Sequence, residues 1–130
     1  MTGIDTNILV RFFAEDDPEQ GRRADQFLQS LSSESPGFLS LVVIAELGWV
    51  LRSRFGISKT QLIQYLEMLL NSSELVLESQ VSVSQALGRF KSGKADFADC
   101  LIERSGALAG CTDTVTFDEG ASKLSGMKLL

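Results

Sequence analysis

The sequence predicts an α/β fold: a three-layer α/β/α sandwich around a central, mostly parallel sheet. Two observations predict it. Short apolar runs of strand length alternate with longer segments of helical periodicity along the whole chain, the pattern of a parallel sheet covered on both faces. Asp5 and Asp118 each stand just past a predicted strand, where open α/β sheets bind their ligands. At 130 residues the chain is expected to form one domain, residues 1–130.

Ile4 closes a first short strand, and Asp5 marks its junction with a helix over Asn7 to Ala14 that Thr6 or Asn7 would cap. Asp17 caps a second helix, with Pro18 at its first position, running to about Leu31. Its residues Ala24, Phe27, Leu28 and Leu31 face inward, leaving Arg22, Arg23 and Gln26 outward. The loop Ser32 to Gly37 leads into a strand at Phe38–Leu39, and Ser40 caps a helix from Leu41 to about Arg54. That helix is apolar almost all round and is therefore expected to be buried on more than one side. Gly56 ends it, and Ser58 caps another from Lys59 to about Leu70, with Leu62, Ile63, Leu66, Leu69 and Leu70 facing inward or toward a partner. A strand at Leu75–Leu77, a helix from Val81 to Phe90, a loop at Lys91–Lys94 and a helix from Asp96 to about Leu108 follow. Thr114–Thr116 reads as a strand and Met127–Leu130 as a last edge strand.

Composition narrows the chemistry. Hydrophobic residues at 44% and charged residues at 22% are those of a globular protein. The most apolar stretch, Phe38 to Leu51, is too short to span a bilayer, and no basic segment precedes an apolar one at the N-terminus, so a cytoplasmic protein is expected. Cys100 and Cys111 lie far from any zinc or disulfide spacing. Histidine is absent, which removes imidazole acid-base pairs, Ser-His-Asp triads and histidine-based zinc sites. An enzyme of this composition must work with carboxylates or a metal. The net charge of −5 argues against a basic coat over the whole surface, but a local patch for nucleic acid is compatible with it.

Four carboxylates stand in apolar surroundings: Asp5, Glu46, Asp99 and Asp118. Glu46 lies mid-helix with only Val42, Val43, Trp49 and Val50 one turn away, so nothing on its own helix can pair with it, and a buried carboxylate without a partner is costly. Asp96, Asp99 and Glu103 fall at i, i+3 and i+7 and share one helix face, where like charges cost a few tenths of a kcal/mol per pair, roughly. A cation across Asp96 and Asp99 would reverse that sign. Taken singly, each acid has a plainer role: Asp5 and Asp118 as turn or cap residues, Asp96 as a helix N-terminal charge, Glu46 as the ion-pair partner of Arg11, Arg52 or Arg89. Agreement of four positions favours one acidic pocket holding divalent metal.

Asp5-Thr6-Asn7, Glu46 in its apolar helix, Asp99-Cys100-Leu101-Ile102 and Thr116-Phe117-Asp118 occur in the order found in PIN-domain ribonucleases. The chain resembles that family over essentially its whole length, and in particular the VapC toxins of type II toxin–antitoxin pairs. The resemblance implies a metal-dependent endoribonuclease in which Asp5, Glu46, Asp99 and Asp118 form the acidic quartet. Asn7, Thr116 and Asp96 would be supporting polar residues. Cys100 departs from the small residue usual at its place, and Asp113 adds an acid without an assigned role. Hydrolysis of a phosphodiester needs an activated water and neutralisation of oxygen charge, and hard oxygen ligands select Mg2+ or Mn2+ for that task. Asp5 and Asp99 would be the principal ligands, Glu46 a ligand or the orienter of the attacking water, and Asp118 a second-metal or water-mediated ligand. Without metal the clustered acids should raise one another's pKa values.

The resemblance also implies an RNA substrate, a homodimer and a cognate antitoxin protein. Arg11, Arg52, Arg54, Lys91 and Lys94 are candidates for a rim around the acids, and the Lys59–Leu70 helix, through Leu66, for the dimer surface. Two other classes compete: a catalytically silent PIN-like adaptor for RNA or protein, and a magnesium-dependent phosphotransfer domain with Asp5 as nucleophile. The second fits less well, because Asn7 stands where a haloacid-dehalogenase-like phosphatase needs an aspartate and no lysine follows the late strand as in a receiver.

Overall fold

A computed structural model describes residues 1–130, and the chain divides into two compact units, Met1–Ser79 and Gln80–Leu130. The α/β class and the parallel strands are as the sequence predicts.

In the first unit, β1 (Thr2–Gly3), β2 (Gly37–Leu39) and β3 (Leu75–Leu77) form a sheet in the order β1-β2-β3, parallel throughout. Two helices connect each neighbouring pair: α1 (Thr6–Ala14) and α2 (Pro18–Gln29), then α3 (Leu41–Ser53) and α4 (Lys59–Asn71). Parallel strands require such crossovers. The central strand carries the fully buried Leu39. Gly37 lies where a Cβ would run into the side chains of Ile4, Leu31 and Leu75, so the packing there leaves no room for a side chain. Asp17 caps α2 by accepting from the Gln20 amide at 3.0 Å, Ser40 caps α3 through the Val43 amide at 3.2 Å, and Ser58 caps α4 through the Gln61 amide at 3.1 Å, all as predicted. α2 stops at Gln29, short of Leu31.

Three expectations change in this unit. The N-cap of α1 is Asp5 itself, not Thr6 or Asn7, and the helix starts at Thr6. α3 is not buried all round. Ile44, Leu47, Gly48 and Leu51 form its core face, while Val42, Glu46 and Trp49 line an exposed one. Glu46 is therefore a solvent-facing carboxylate, and the cost of burying it does not arise. Leu62, Leu66 and Leu69 of α4 are buried within the protomer, so Leu66 is a core residue and not part of a surface for a second copy. Each such leucine contributes roughly 1.5–3 kcal/mol by leaving water.

In the second unit, α5 (Gln80–Ser92) and α6 (Phe97–Leu108) pack side by side, with Phe90 and Phe97 edge to face at 5.9 Å between ring centroids. α5 absorbs Lys91 and Ser92, which the sequence assigns to a loop. β4 (Thr114–Thr116) and β5 (Met127–Leu129) pair in parallel, joined by a loop with one 3-10 turn at Ala121–Lys123. Glu103 of α6 is buried. Arg104 grips it with two hydrogen bonds, at 2.7 and 2.8 Å, and Arg89 of α5 lies 3.0 Å away. Gly126 has a φ of 93° and passes so close to the Glu103 carboxylate that a Cβ would overlap it. No helix of either unit is long and apolar enough to cross a membrane.

Candidate active site

Asp5 follows directly on the strand β1 and Ile4, which is buried and donates its amide to the Phe38 carbonyl at 3.0 Å. Its Oδ1 accepts from the Thr6 amide at 2.8 Å, which fixes the carboxyl and leaves Oδ2 free. Glu46, in the second turn of α3, lines the same cavity of about 410 Å³, together with Thr6, Asn7, Arg11 and Arg54. The structure thus brings Asp5, Glu46 and the supporting Asn7 to one cavity. The three arginines offered as partners for Glu46 are committed elsewhere: Arg11 to Asp16 and Gln20, Arg52 to the Ile57 carbonyl, Arg89 to Glu103. Glu46 carries no ion pair.

Asp96, Asp99 and Asp118 line a second cavity, of about 500 Å³, in the Gln80–Leu130 unit. Asp96 is the N-cap residue of α6 but makes no capping hydrogen bond, so its carboxyl remains available. Asp99 sits in the first turn of α6, half-buried, and its pKa is raised by that burial first and then by the charges of Asp96 and Asp118. The expected mutual repulsion is therefore present at this acid, with desolvation the larger cause. Asp118 is held at both ends. Its amide donates to Thr116 Oγ1 at 3.0 Å, and its Oδ1 accepts from the amides of Gly120 and Ala121 at 2.8 and 3.2 Å. Thr116 thus supports Asp118 through its backbone, and Oδ2 of Asp118 is left for another partner.

Glu103 does not join this cavity, although its spacing puts it on the face of Asp96 and Asp99. It lies deeper along α6, where Arg89 and Arg104 neutralise it, and its pKa is lowered by the Arg104 hydrogen bond against the opposing effect of burial. Asp113 is exposed and does not line the cavity.

The donor sets fit a hard divalent cation: free carboxylate oxygens from aspartate and glutamate, no sulfur and no imidazole. Within either cavity the carboxylates stand spread around the wall and do not converge into a three-ligand cluster. Sequence reasoning missed three residues here. Asp16 lines the Asp5 cavity but is bound by Arg11; its place in a run of acids before Pro18 marks it only as a turn residue. Lys123 lines the Asp99 cavity together with the expected Lys94. Thr6 carries a buried hydroxyl without a partner, which no sequence pattern signals.

Asp5 and Asp118 stand just past parallel strands, where α/β proteins place the groups that meet a ligand. The model of the PIN domain family matches residues 4–127, and the chain belongs to that family. PIN domains are in general nucleases and typically use divalent metal ions. Comparison with curated proteins gives no match.

Proposed function

We propose that the chain is a Mg2+- or Mn2+-dependent endoribonuclease and the toxin of a toxin–antitoxin pair. What supports this reading is membership of the PIN domain family, together with free carboxylates on two cavities, Asp5 and Glu46 on one and Asp99 and Asp118 on the other. Bound divalent metal would neutralise charge on the phosphoryl oxygens and favour ionisation of a water. Asp5 and Asp99 would be the principal ligands in this reading and Asp118 a further one, through the Oδ2 that its turn hydrogen bonds leave free. Glu46, exposed and unpaired, orients the attacking water and takes its proton. The water oxygen would add to phosphorus as the ester bond to the leaving oxygen breaks, and that oxygen would take a proton from a solvent water, Glu46 returning its own proton to solvent. Asn7, Asp96 and Thr116 keep supporting roles.

Lys94 and Lys123, on the wall of the aspartate cavity, and Arg54 beside Glu46 supply charge for the phosphates of RNA. Arg11 and Arg52 are tied to other groups and contribute less than the sequence suggests. A homodimer, a cognate antitoxin that covers the acids, and residence in the cytoplasm belong to the same reading.

The deciding experiment is cleavage of a mixed cellular RNA pool with Mg2+, Mn2+ or EDTA by the wild type and by folded Asp5→Asn and Asp99→Asn variants. Metal-dependent cutting lost in both variants is the expected result. Equal cutting by the variants, or none by the wild type free of antitoxin, would leave the silent adaptor as the better description.

A further inference from the structure

A cavity of about 370 Å³ between α1 and α2 is lined by Asn7, Ile8 and Arg11 of the first helix and by Gln20, Arg23 and Phe27 of the second. Asn7 and Arg11 also line the Asp5–Glu46 cavity, so the two adjoin. Their charges differ. Asp5, Asp16 and Glu46 stand on the first, whereas no carboxylate lines the second and two arginines do, in a chain whose net charge is −5. Arg11 is held by Asp16 and Gln20. Arg23 is exposed and makes no hydrogen bond or ion pair. Gln20 accepts from Arg11 through its side-chain oxygen and so keeps its NH2 group as a donor. An exposed arginine is ordinarily only solvated charge. Arg22, its neighbour, fits that description, being exposed and unpaired but outside the cavity; Arg23 lines the cavity, on the helix face it shares with Phe27 four residues on.

Donors with no acid among them suit an anion, and the half-buried Ile8 and Phe27 give the same cavity an apolar wall. A nucleotide combines those two characters, and the volume lies within the range of ligand cavities, roughly 300–1,000 Å³. RNA held through metal at Asp5 and Glu46 continues into a further nucleotide, whose phosphate must find its own cation. We infer that the α1–α2 cavity seats the nucleotide next to the scissile bond, with the guanidinium of Arg23 on its phosphate. The inference rests on the metal nuclease reading above and extends that site by one nucleotide. An acidic protein segment would match the charge of the cavity, but only a nucleic acid runs covalently from a phosphate in one cavity to a phosphate in the next.

The test uses the full chain in a Glu46→Gln background, which removes the base of the proposed reaction and keeps the aspartates. Fluorescein-labelled single-stranded RNA of random sequence, about ten nucleotides long, is titrated with protein in Mg2+ over a series of KCl concentrations and binding is read by anisotropy. Adding Arg23→Gln should weaken binding roughly fivefold at low salt and reduce the salt slope by about one. Arg22→Gln, the same change of charge one residue away, should stay within about twofold of the background. Equal losses for the two arginines, or none at Arg23, overturn the inference and leave the nuclease reading standing. Labelled poly-L-glutamate bound more tightly than the RNA, and dependent on Arg23, would assign the cavity to an acidic protein segment and overturn it as well. A background chain that binds no RNA in Mg2+ removes the nuclease reading and this inference together.

Discussion

The guanidinium of Arg89 lies 3.0 Å from the carboxylate of Glu103 while the same Nη1 donates to the carbonyl of Ser125. One arginine therefore ties α5 to α6 and to the turn that precedes β5. Arg104 completes the cluster by holding Glu103 with two parallel hydrogen bonds and reaching Gln85 at 3.2 Å, the forked geometry that suits guanidinium and carboxylate. Ser125 and its neighbour Leu124 line the aspartate cavity, so the cluster sets part of that wall.

Replacing Glu103 with alanine leaves two arginines facing each other and should cost about 2 kcal/mol, less than a fully buried pair because both arginines remain partly in solvent. Urea denaturation measures it. The lowered pKa of Glu103 also fixes a direction with pH. The folded state holds the charged form more strongly, so its contribution is complete above the ordinary glutamate pKa and disappears as pH falls through the depressed folded value. Glu103→Gln should therefore show a shallower loss of stability in acid than the wild type; an identical acid limb would place the sensitivity elsewhere.

Asp99 has the opposite sign. Burial and the charges of Asp96 and Asp118 raise its pKa, so the folded state binds its proton more readily than the unfolded chain. Its charged form is a cost above the folded pKa, relieved as pH falls through that value toward the ordinary aspartate range. In EDTA at neutral pH, Asp99→Asn should melt a few degrees above the wild type. Excess Mn2+ should narrow or reverse the gap, because only the wild type gains a ligand from it. A metal-free Asp99→Asn that melts below wild type would show that the carboxylate serves the fold.

At Asp118 two substitutions separate structure from chemistry. Alanine removes the acceptor of the Gly120 and Ala121 amides and should cost about 1 kcal/mol, the usual value of a lost cap. Asparagine keeps an oxygen there and removes only the charge. Asp118→Asn should then unfold in urea close to wild type yet bind Mn2+ more weakly, whereas Asp118→Ala loses both stability and affinity. Equal unfolding midpoints for the two variants would mean that the turn does not depend on these hydrogen bonds.

Much of this was legible from local chemistry. Ser40, Ser58 and Asp17 announce their helices because a cap acts within three residues, and the alternation of strand and helix carries the parallel pairing. Glu46 lies in a helical pattern that is apolar on every side and so reads as buried, and sequence cannot tell which apolar face a fold leaves in water. Leu66 shows the converse: a leucine-rich helix face reads equally as core or as a surface for a partner, and the fold makes it core. Glu103 shares a face with Asp96 and Asp99 by periodicity, yet its fate is decided by Arg89 on another helix and by the close approach of Gly126. The orphaned hydroxyl of Thr6 is legible only once the positions of all its neighbours are known.

The exposed face of α3 has an optical consequence. Trp49 is the chain's only tryptophan; it is 57% exposed and lies one turn from Glu46, close enough for their side chains to be neighbours. Its indole emission is thus a native reporter stationed beside the Asp5–Glu46 cavity. A paramagnetic ion settling there would quench that light directly, making occupancy visible in an unlabelled protein before any substrate is known.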